Sequence, residues 1–354
     1  MKLAPIIVLL TAFAASAQSG RIKTAETPAP SPSPRRTVSA PVTERPRIAE
    51  PRPSPSPVIL TVDEEDVIRV DSSYVPIPVT VLAKDGRAVR NLDRDDFRLQ
   101  IDGVEAEIRE VTRAEVPIRM AMLFDNSGSI LTARNFQIEA AVRFFERVLR
   151  PGRDQGSLFR VATSVWLEQP LTADPRELVR AIQALPPPSG ATSLLDGIEL
   201  AARYLAETEG VGRRVIVIVS DGDDTITDTT VERALRMAQR NNCQIFVVQT
   251  TDFENFVRTG SRIGNANVRA LTAERRMKMF AEQTGGAVYM PIDRRELEDA
   301  FQRISADLSE QYILGYYPES ETGHNGQFRR IEVAVAGGEG MTVRARKGYY
   351  VRRD

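Results

Sequence analysis

Cysteine and histidine are almost absent from this sequence: its 354 residues contain one of each, Cys243 and His324. A lone thiol cannot close an intramolecular disulfide, so stability has to come from a packed core or a bound metal. Cys243 opens the apolar run CQIFVVQT and is expected to be a buried structural thiol. The lone imidazole sits in the turn-like TGHNG, which argues against a Ser-His-Asp triad. A G-x-S-x-G elbow is missing, as is a Gly-rich phosphate loop ending in Lys-Ser or Lys-Thr. Charge of one sign is missing too. The chain carries 47 Lys and Arg against 48 Asp and Glu, a formal net charge of -1. No global field draws it to nucleic acid or anionic lipid, and nucleic acid is not an expected partner.

Long apolar runs are lacking after the first residues. The opening stretch, MKLAPIIVLLTAFAASAQSG, has a positive start at Lys2, a short apolar run, and the small residues of Ala15–Ala17. It is too short for a comfortable membrane span and reads as a secretory signal peptide over residues 1–17, with Gln18 as the new N-terminus. The expected location is then secreted or periplasmic, with no integral membrane span after cleavage. An uncleaved N-terminal anchor is the alternative.

Proline is unevenly spent. Ten of the 22 prolines fall between Pro28 and Pro57. Residues 18–57 are Pro-, Ser- and Arg-rich with few large apolar side chains, which predicts a disordered linker of local polyproline II character. It serves as a spacer, with a proline-motif docking site as the alternative. Residues 58–113 change to short alternating runs such as PVTVLA and FRLQI, broken by KDG and IDG turns, the pattern of antiparallel strands. Residues 114–310 change again. Apolar runs (IRMAMLF, RRVIVIVS, CQIFVVQT) alternate with helical patterns (NFQIEAAVRFFERVL, LLDGIELAARYLAE), which predicts an α/β fold with a doubly wound, mostly parallel sheet. SLFRVATSVWLE reads as one further strand, with Trp166 in the core. Residues 311–354 return to β character and end in the basic RARKGYYVRR, expected at an exposed edge. Residues 58–113 and 311–354 are therefore expected to form one flanking antiparallel β-sandwich, with the α/β region inserted between its halves.

Three turns of the α/β region carry oxygen ligands. MAMLFDNSGSI places Asp125, Ser127 and Ser129 after an apolar strand. SGATSLL places Thr192 before a helix, and VIVIVSDGDDT places Asp221 after another strand. In such sheets the carboxyl ends of the strands form the ligand-binding rim. Two carboxylates and three hydroxyls make a hard donor set that suits Mg²⁺, with Mn²⁺ or Ca²⁺ as alternatives. A first shell rich in neutral hydroxyls leaves the cation's charge poorly neutralised and open to a carboxylate from outside. For Asp125–Ser129 alone, helix N-capping is the competing explanation. Asp196, Asp223 and Asp224 lie near the same rim and are expected to cap helices, with tuning of the metal as the alternative. The polar stretch Thr251–Ala270, with Arg258, Arg262 and Arg269, reads as a long loop on this face, either a specificity loop or a solvated insertion.

DNSGS, the GATS threonine and the SDGDD aspartate together resemble the metal-ion-dependent adhesion site of von Willebrand factor A (VWA) domains. The resemblance runs from Pro117 to roughly Glu310. It implies a metal site made by Asp125, Ser127, Ser129, Thr192 and Asp221. Ser127 and Ser129 would ligate directly, Thr192 directly or through water, and Asp125 and Asp221 largely through bridging waters. A protein partner would supply an exposed Asp or Glu. The flanking β segments are similar to those of a bacterial group of secreted VWA-related proteins. The expected function is a secreted or periplasmic, metal-dependent protein-binding module of adhesion type, not an enzyme. A structural or assembly scaffold of the cell envelope is the alternative. A metal-assisted hydrolase comes third, because an aspartyl-phosphate enzyme would want a second acid where Ser127 stands.

Overall fold

The computed structural model describes residues 74–113, 116–210, 212–261, 268–318 and 326–351. The expected signal peptide, the Pro/Ser-rich linker, the first residues of the β segment, Arg262 and His324 lie outside the described residues. Everything described belongs to a single compact unit, Ile68–Asp354.

At its centre is a six-stranded sheet. It comprises β5 (Ile118–Asp125), β6 (Gln155–Val161), β7 (Val165–Thr172), β8 (Arg213–Ser220), β9 (Cys243–Gln249) and β10 (Val288–Tyr289). The order is β10-β9-β8-β5-β6-β7, parallel throughout except for the β6–β7 pair. Every residue of β5 is buried, as a strand covered on both faces requires. Side chains at alternate positions feed two cores. Met120, Met122 and Phe124 pack with α1 (Arg134–Val148), α2 (Pro175–Gln183) and α7 (Arg294–Glu310). Ala121 and Leu123 pack with α3 (Leu194–Glu207), α4 (Val231–Arg240) and α6 (Val268–Thr284). Cys243 is buried, and burial pushes its thiol up to about 12, which makes it unreactive.

Two antiparallel four-stranded sheets flank this domain among the described residues. The first runs β13-β1-β11-β4 and joins β1 (Val75–Leu82) and β4 (Glu110–Arg113) to β11 (Tyr312–Tyr316) and β13 (Thr342–Ala345). The second runs β14-β12-β2-β3 and joins β2 (Phe97–Ile101) and β3 (Val104–Ala106) to β12 (Phe328–Val335) and β14 (Gly348–Tyr350). Ile77 and Val79 from the first share a core with Leu99, Ile331 and Tyr349 from the second. Both sheets therefore need strands from each side of the α/β region. In β2 the burial alternates strictly, the signature of a sheet with one wet face.

Three local expectations are corrected. The stretch Ser157–Glu168 is a hairpin, not one strand. β6 and β7 pair antiparallel, and a turn at Ala162–Ser164 without Gly or Pro joins them. Trp166 then falls on the sheet's edge strand, 56% exposed, with the Arg160 guanidinium over its ring. Much of Thr251–Ala270 is helical: α5 spans Thr251–Thr259 and closes on Gly260, whose φ of 72° is the left-handed C-cap that glycine adopts freely. The basic tail is only partly exposed. Arg344 pairs with Asp307, and Arg346 is buried.

Candidate functional site

The carboxyl ends of β5 and β8 are neighbours in the sheet, and each ends at the rim: β5 on Asp125, β8 on Ser220, one residue before Asp221. The Asp125 carboxylate accepts from the Ser127 N–H at 2.9 Å and from the Ser220 hydroxyl at 2.6 Å. The Ser127 and Ser129 hydroxyls lie 3.0 Å apart. Ser127 also reaches the Asp125 carboxylate, and Ser129 reaches the Asp221 carboxylate. Hydrogen bonds thus gather Asp125, Ser127, Ser129 and Asp221 into one cluster. Asp125 and Ser127 are buried, Asp221 is half-buried, and Ser129 is exposed.

Thr192 arrives on a third loop. Asn126 C=O accepts from the Ser189 N–H at 3.0 Å, and the Gly128 N–H donates to Gly190 C=O at 3.2 Å. The Thr192 N–H donates to the Thr225 hydroxyl at 2.9 Å, and Thr192 C=O accepts from the Thr225 N–H at 2.9 Å. The three loops are therefore laced to one another. Thr192 is buried, and its hydroxyl makes no hydrogen bond to the other four residues. Gly190 has to be glycine: its φ is 78°, and a Cβ there would lie 2.3 Å from the Thr163 hydroxyl.

Other groups at this rim hold the site or crowd it. Asp224 accepts from the Leu194 and Leu195 N–H groups at 2.8 and 3.2 Å, so it caps α3 from a neighbouring loop. Asp196 accepts from the Thr229 N–H at 2.9 Å and pins the loop after β8. Asp223 pairs with Arg269 at 2.5 Å. Asn126 is buried and fully engaged, taking Arg134 Nε and giving its amide to Pro186 C=O. Glu254 on α5 accepts from the Thr250 hydroxyl at 2.5 Å and the Gln137 amide at 3.1 Å. Sequence reasoning missed Ser220, Asn126 and Glu254. Ser220 alone had a visible signal, as a polar residue closing an otherwise apolar strand.

Electrostatically the cluster is short of positive charge. Burial, and then the Asp221 charge, push Asp125 up to about 6 against its hydrogen bonds. Burial also raises Asp221. Glu254 is pushed up to about 8 by burial first, then by the Asp221 and Asp125 charges. Among the described residues no group of three or more His, Cys, Asp or Glu is gathered as a metal cluster. The rim's donor set is of another kind, two carboxylates completed by hydroxyls. Hard oxygens around an excess of buried negative charge fit a small divalent cation.

Residues 120–223 match the von Willebrand factor type A domain family, and that span holds Asp125, Ser127, Ser129, Thr192 and Asp221. The chain carries a VWA domain. Such a domain is a protein-interaction or adhesion-type module. Among solved structures, the VWA chain resembles protein BatB from Bacteroides thetaiotaomicron at 16% identity, with 54% of this chain and 98% of that one covered and a TM-score of 0.42. It also resembles an aerotolerance-related membrane protein from Bacteroides fragilis at 20% identity, covering 54% and 98%, with a TM-score of 0.41. The vWF domain of the type V pili tip protein Mfa5 from Porphyromonas gingivalis is similar at 14% identity, covering 54% and 94%, with a TM-score of 0.42. No curated protein matches the chain. No helix among the described residues is long and apolar enough to cross a membrane.

Proposed function

We propose that the VWA domain binds a protein ligand by its exposed Asp or Glu, through a divalent cation held by Asp125, Ser127, Ser129, Thr192 and Asp221. The cation is Mg²⁺, with Mn²⁺ or Ca²⁺ as substitutes, and the protein works outside the cytoplasm, secreted or periplasmic. One observation supports the reading: hydrogen bonds lace three separate loops around the buried Asp125 carboxylate, the half-buried Asp221 beside it and a pair of touching serine hydroxyls. A bound divalent ion would neutralise the two carboxylates and offer a Lewis-acid position to an incoming carboxylate.

The chain's own residues set the terms of that binding. Ser220 and the Ser127 N–H aim the Asp125 carboxylate. Gly190 lets the Thr192 loop approach the Ser127–Ser129 loop. Exposed Ser129 marks the side from which a partner reaches the site.

Titration of Mg²⁺, Mn²⁺ and Ca²⁺ into the full chain, followed by thermal shift and calorimetry, tests this. The melting temperature should rise with Mg²⁺ in the wild type. Asp125→Ala should weaken Mg²⁺ binding by more than about 100-fold. Capture of the protein on immobilised Glu-bearing peptides should need Mg²⁺ and vanish with EDTA. A wild type indifferent to all three ions refutes the reading. Capture that survives EDTA moves the function to the envelope scaffold.

A further inference from the structure

Two large apolar side chains stand exposed on the loops that form the rim. Leu131 is 67% exposed, two residues after Ser129. Ile226 is 51% exposed, and its N–H donates to Thr192 C=O at 3.3 Å. Single apolar residues on a surface are ordinary. These two differ in their surroundings. Ile130 is fully buried and does the packing for its loop, while Leu131 beside it turns outward. Ile226 is the one apolar side chain between Val219 and Val231, in a loop otherwise made of Gly, Asp, Ser and Thr.

Their placement is set by the fold. Leu131 leads into α1, and Ile226 lies on the loop that leads into α4. α1 and α4 cover opposite faces of the sheet, so the two side chains flank the rim from opposite sides. A continuous path joins them. Leu131 follows Gly128 and Ser129, the Gly128 N–H bonds Gly190 C=O, and Thr192, two residues on, bonds Ile226. The floor along that path is small and open: Gly128, Ser129, Ser189 and Gly190 are all exposed. A floor without bulk lets a foreign backbone come close, and apolar groups at its two ends give that backbone's side chains something to cover.

A cation that accepts any outside carboxylate discriminates poorly, because every protein surface displays Asp and Glu. Selection has to come from what surrounds the acid. Apolar contacts around a charged anchor also keep water from it and strengthen its bond to the ion. In an extended segment, residues two apart point the same way and immediate neighbours point the opposite way. A segment that aims its acid at the rim therefore aims the side chains two before and two after it at the rim as well, one towards each flank.

We propose that the rim selects an acidic residue set in an extended segment of a partner protein, with bulky apolar side chains two positions before and two positions after the acid, and that these pack on Leu131 and Ile226. The inference rests on the cation reading and adds to it the class of partner sequence.

The probes are two capped pentapeptides, Leu-Ser-Glu-Ser-Leu and Ser-Ser-Glu-Ser-Ser, titrated by calorimetry into the full chain in saturating Mg²⁺. The wild type should bind the leucine peptide at least about tenfold more tightly than the serine peptide. Leu131→Ser and Ile226→Ser should each cut that preference by about threefold or more, with Mg²⁺ binding in the absence of peptide as in the wild type. Val104→Ser removes a side chain of similar exposure from the sandwich and should leave the preference intact. The leucine peptide with glutamine in place of its acid should not bind. The proposal is overturned, and the cation reading kept, if the Mg²⁺-loaded wild type holds both peptides equally or if the two serine variants retain the full preference. A wild type that responds to none of Mg²⁺, Mn²⁺ and Ca²⁺ overturns both.

Discussion

The two ends of the parallel sheet are chemical opposites. At the carboxyl ends of β5 and β8, carboxylates crowd together with hydroxyls and lack a cation to share. At the other end, near the starts of β8 and β9, Arg213, Arg214 and Arg346 line a cavity with no acid among its described residues. Where an acid does occur at that second end, it is already engaged. Asp154 is fully buried, accepts from the Ile118 N–H at 2.9 Å, and holds Arg150 through two further bonds of 2.7 and 2.9 Å. Satisfied charge builds the fold, and the crowded carboxylates at the rim fit a cation from outside. Buried groups that stay short of partners are expensive in a domain of ordinary stability, which makes them informative.

Asp154→Asn tests the satisfied half of that contrast and should have the largest effect on stability. Breaking the pair between buried Asp154 and part-exposed Arg150 should cost roughly 2 kcal/mol in chemical denaturation while leaving Mg²⁺ binding unchanged. Arg150 and two backbone N–H groups hold the Asp154 pKa below its ordinary 3.8. A depressed carboxylate pKa contributes stability that is present above the unfolded value and lost as pH falls through the folded one. The wild type should therefore lose stability below about pH 4, and Asp154→Asn should lose less there. Equal acid sensitivity in both proteins would show that the pair is idle.

Glu254→Gln probes the crowded half and should have a smaller effect. The folded pKa of about 8 lies above the ordinary 4.5, so the sign is reversed. In the absence of divalent cation, ionising Glu254 costs stability as pH rises from about 4.5 towards 8. The glutamine variant should be the more stable at pH 8, and its advantage should fade as pH drops towards 4.5. A variant less stable than wild type at that pH would mean that the Thr250 and Gln137 bonds outweigh the repulsion. The smallest expected effect is the crossed one. Arg346→Met should keep the Mg²⁺ response in thermal shift, because sites without shared partners add independently. Loss of that response in the variant would join the two ends into one coupled unit.

The sequence made the central architecture readable where burial is two-sided. IRMAMLFD and RRVIVIVS are apolar on both faces, and they became β5 and β8. The oxygen-bearing turns were readable as a motif, and hydrogen bonds gather four of the five residues while Thr192 joins through its backbone. The supports were not readable because they are non-local. Asp224 caps a helix thirty residues earlier in the chain, and Ser220 bonds Asp125 across the sheet. The helix α5 was hidden by its polarity, although Phe253, Phe256 and Val257 have helical spacing ahead of Gly260. The hairpin at Ala162–Ser164 was hidden because none of the usual turn residues marks it. Trp166 was misplaced because an edge strand exposes large rings that composition alone assigns to the core.

The most direct measurement is a high-resolution crystal structure of the protein grown in abundant Mg²⁺ with a Glu-bearing peptide. The account predicts one octahedral ion bound by the Ser127 and Ser129 hydroxyls beside Asp125, Thr192 and Asp221, with a peptide carboxylate completing its shell. A map in which those side chains surround only water, with the peptide elsewhere or absent, would contradict it.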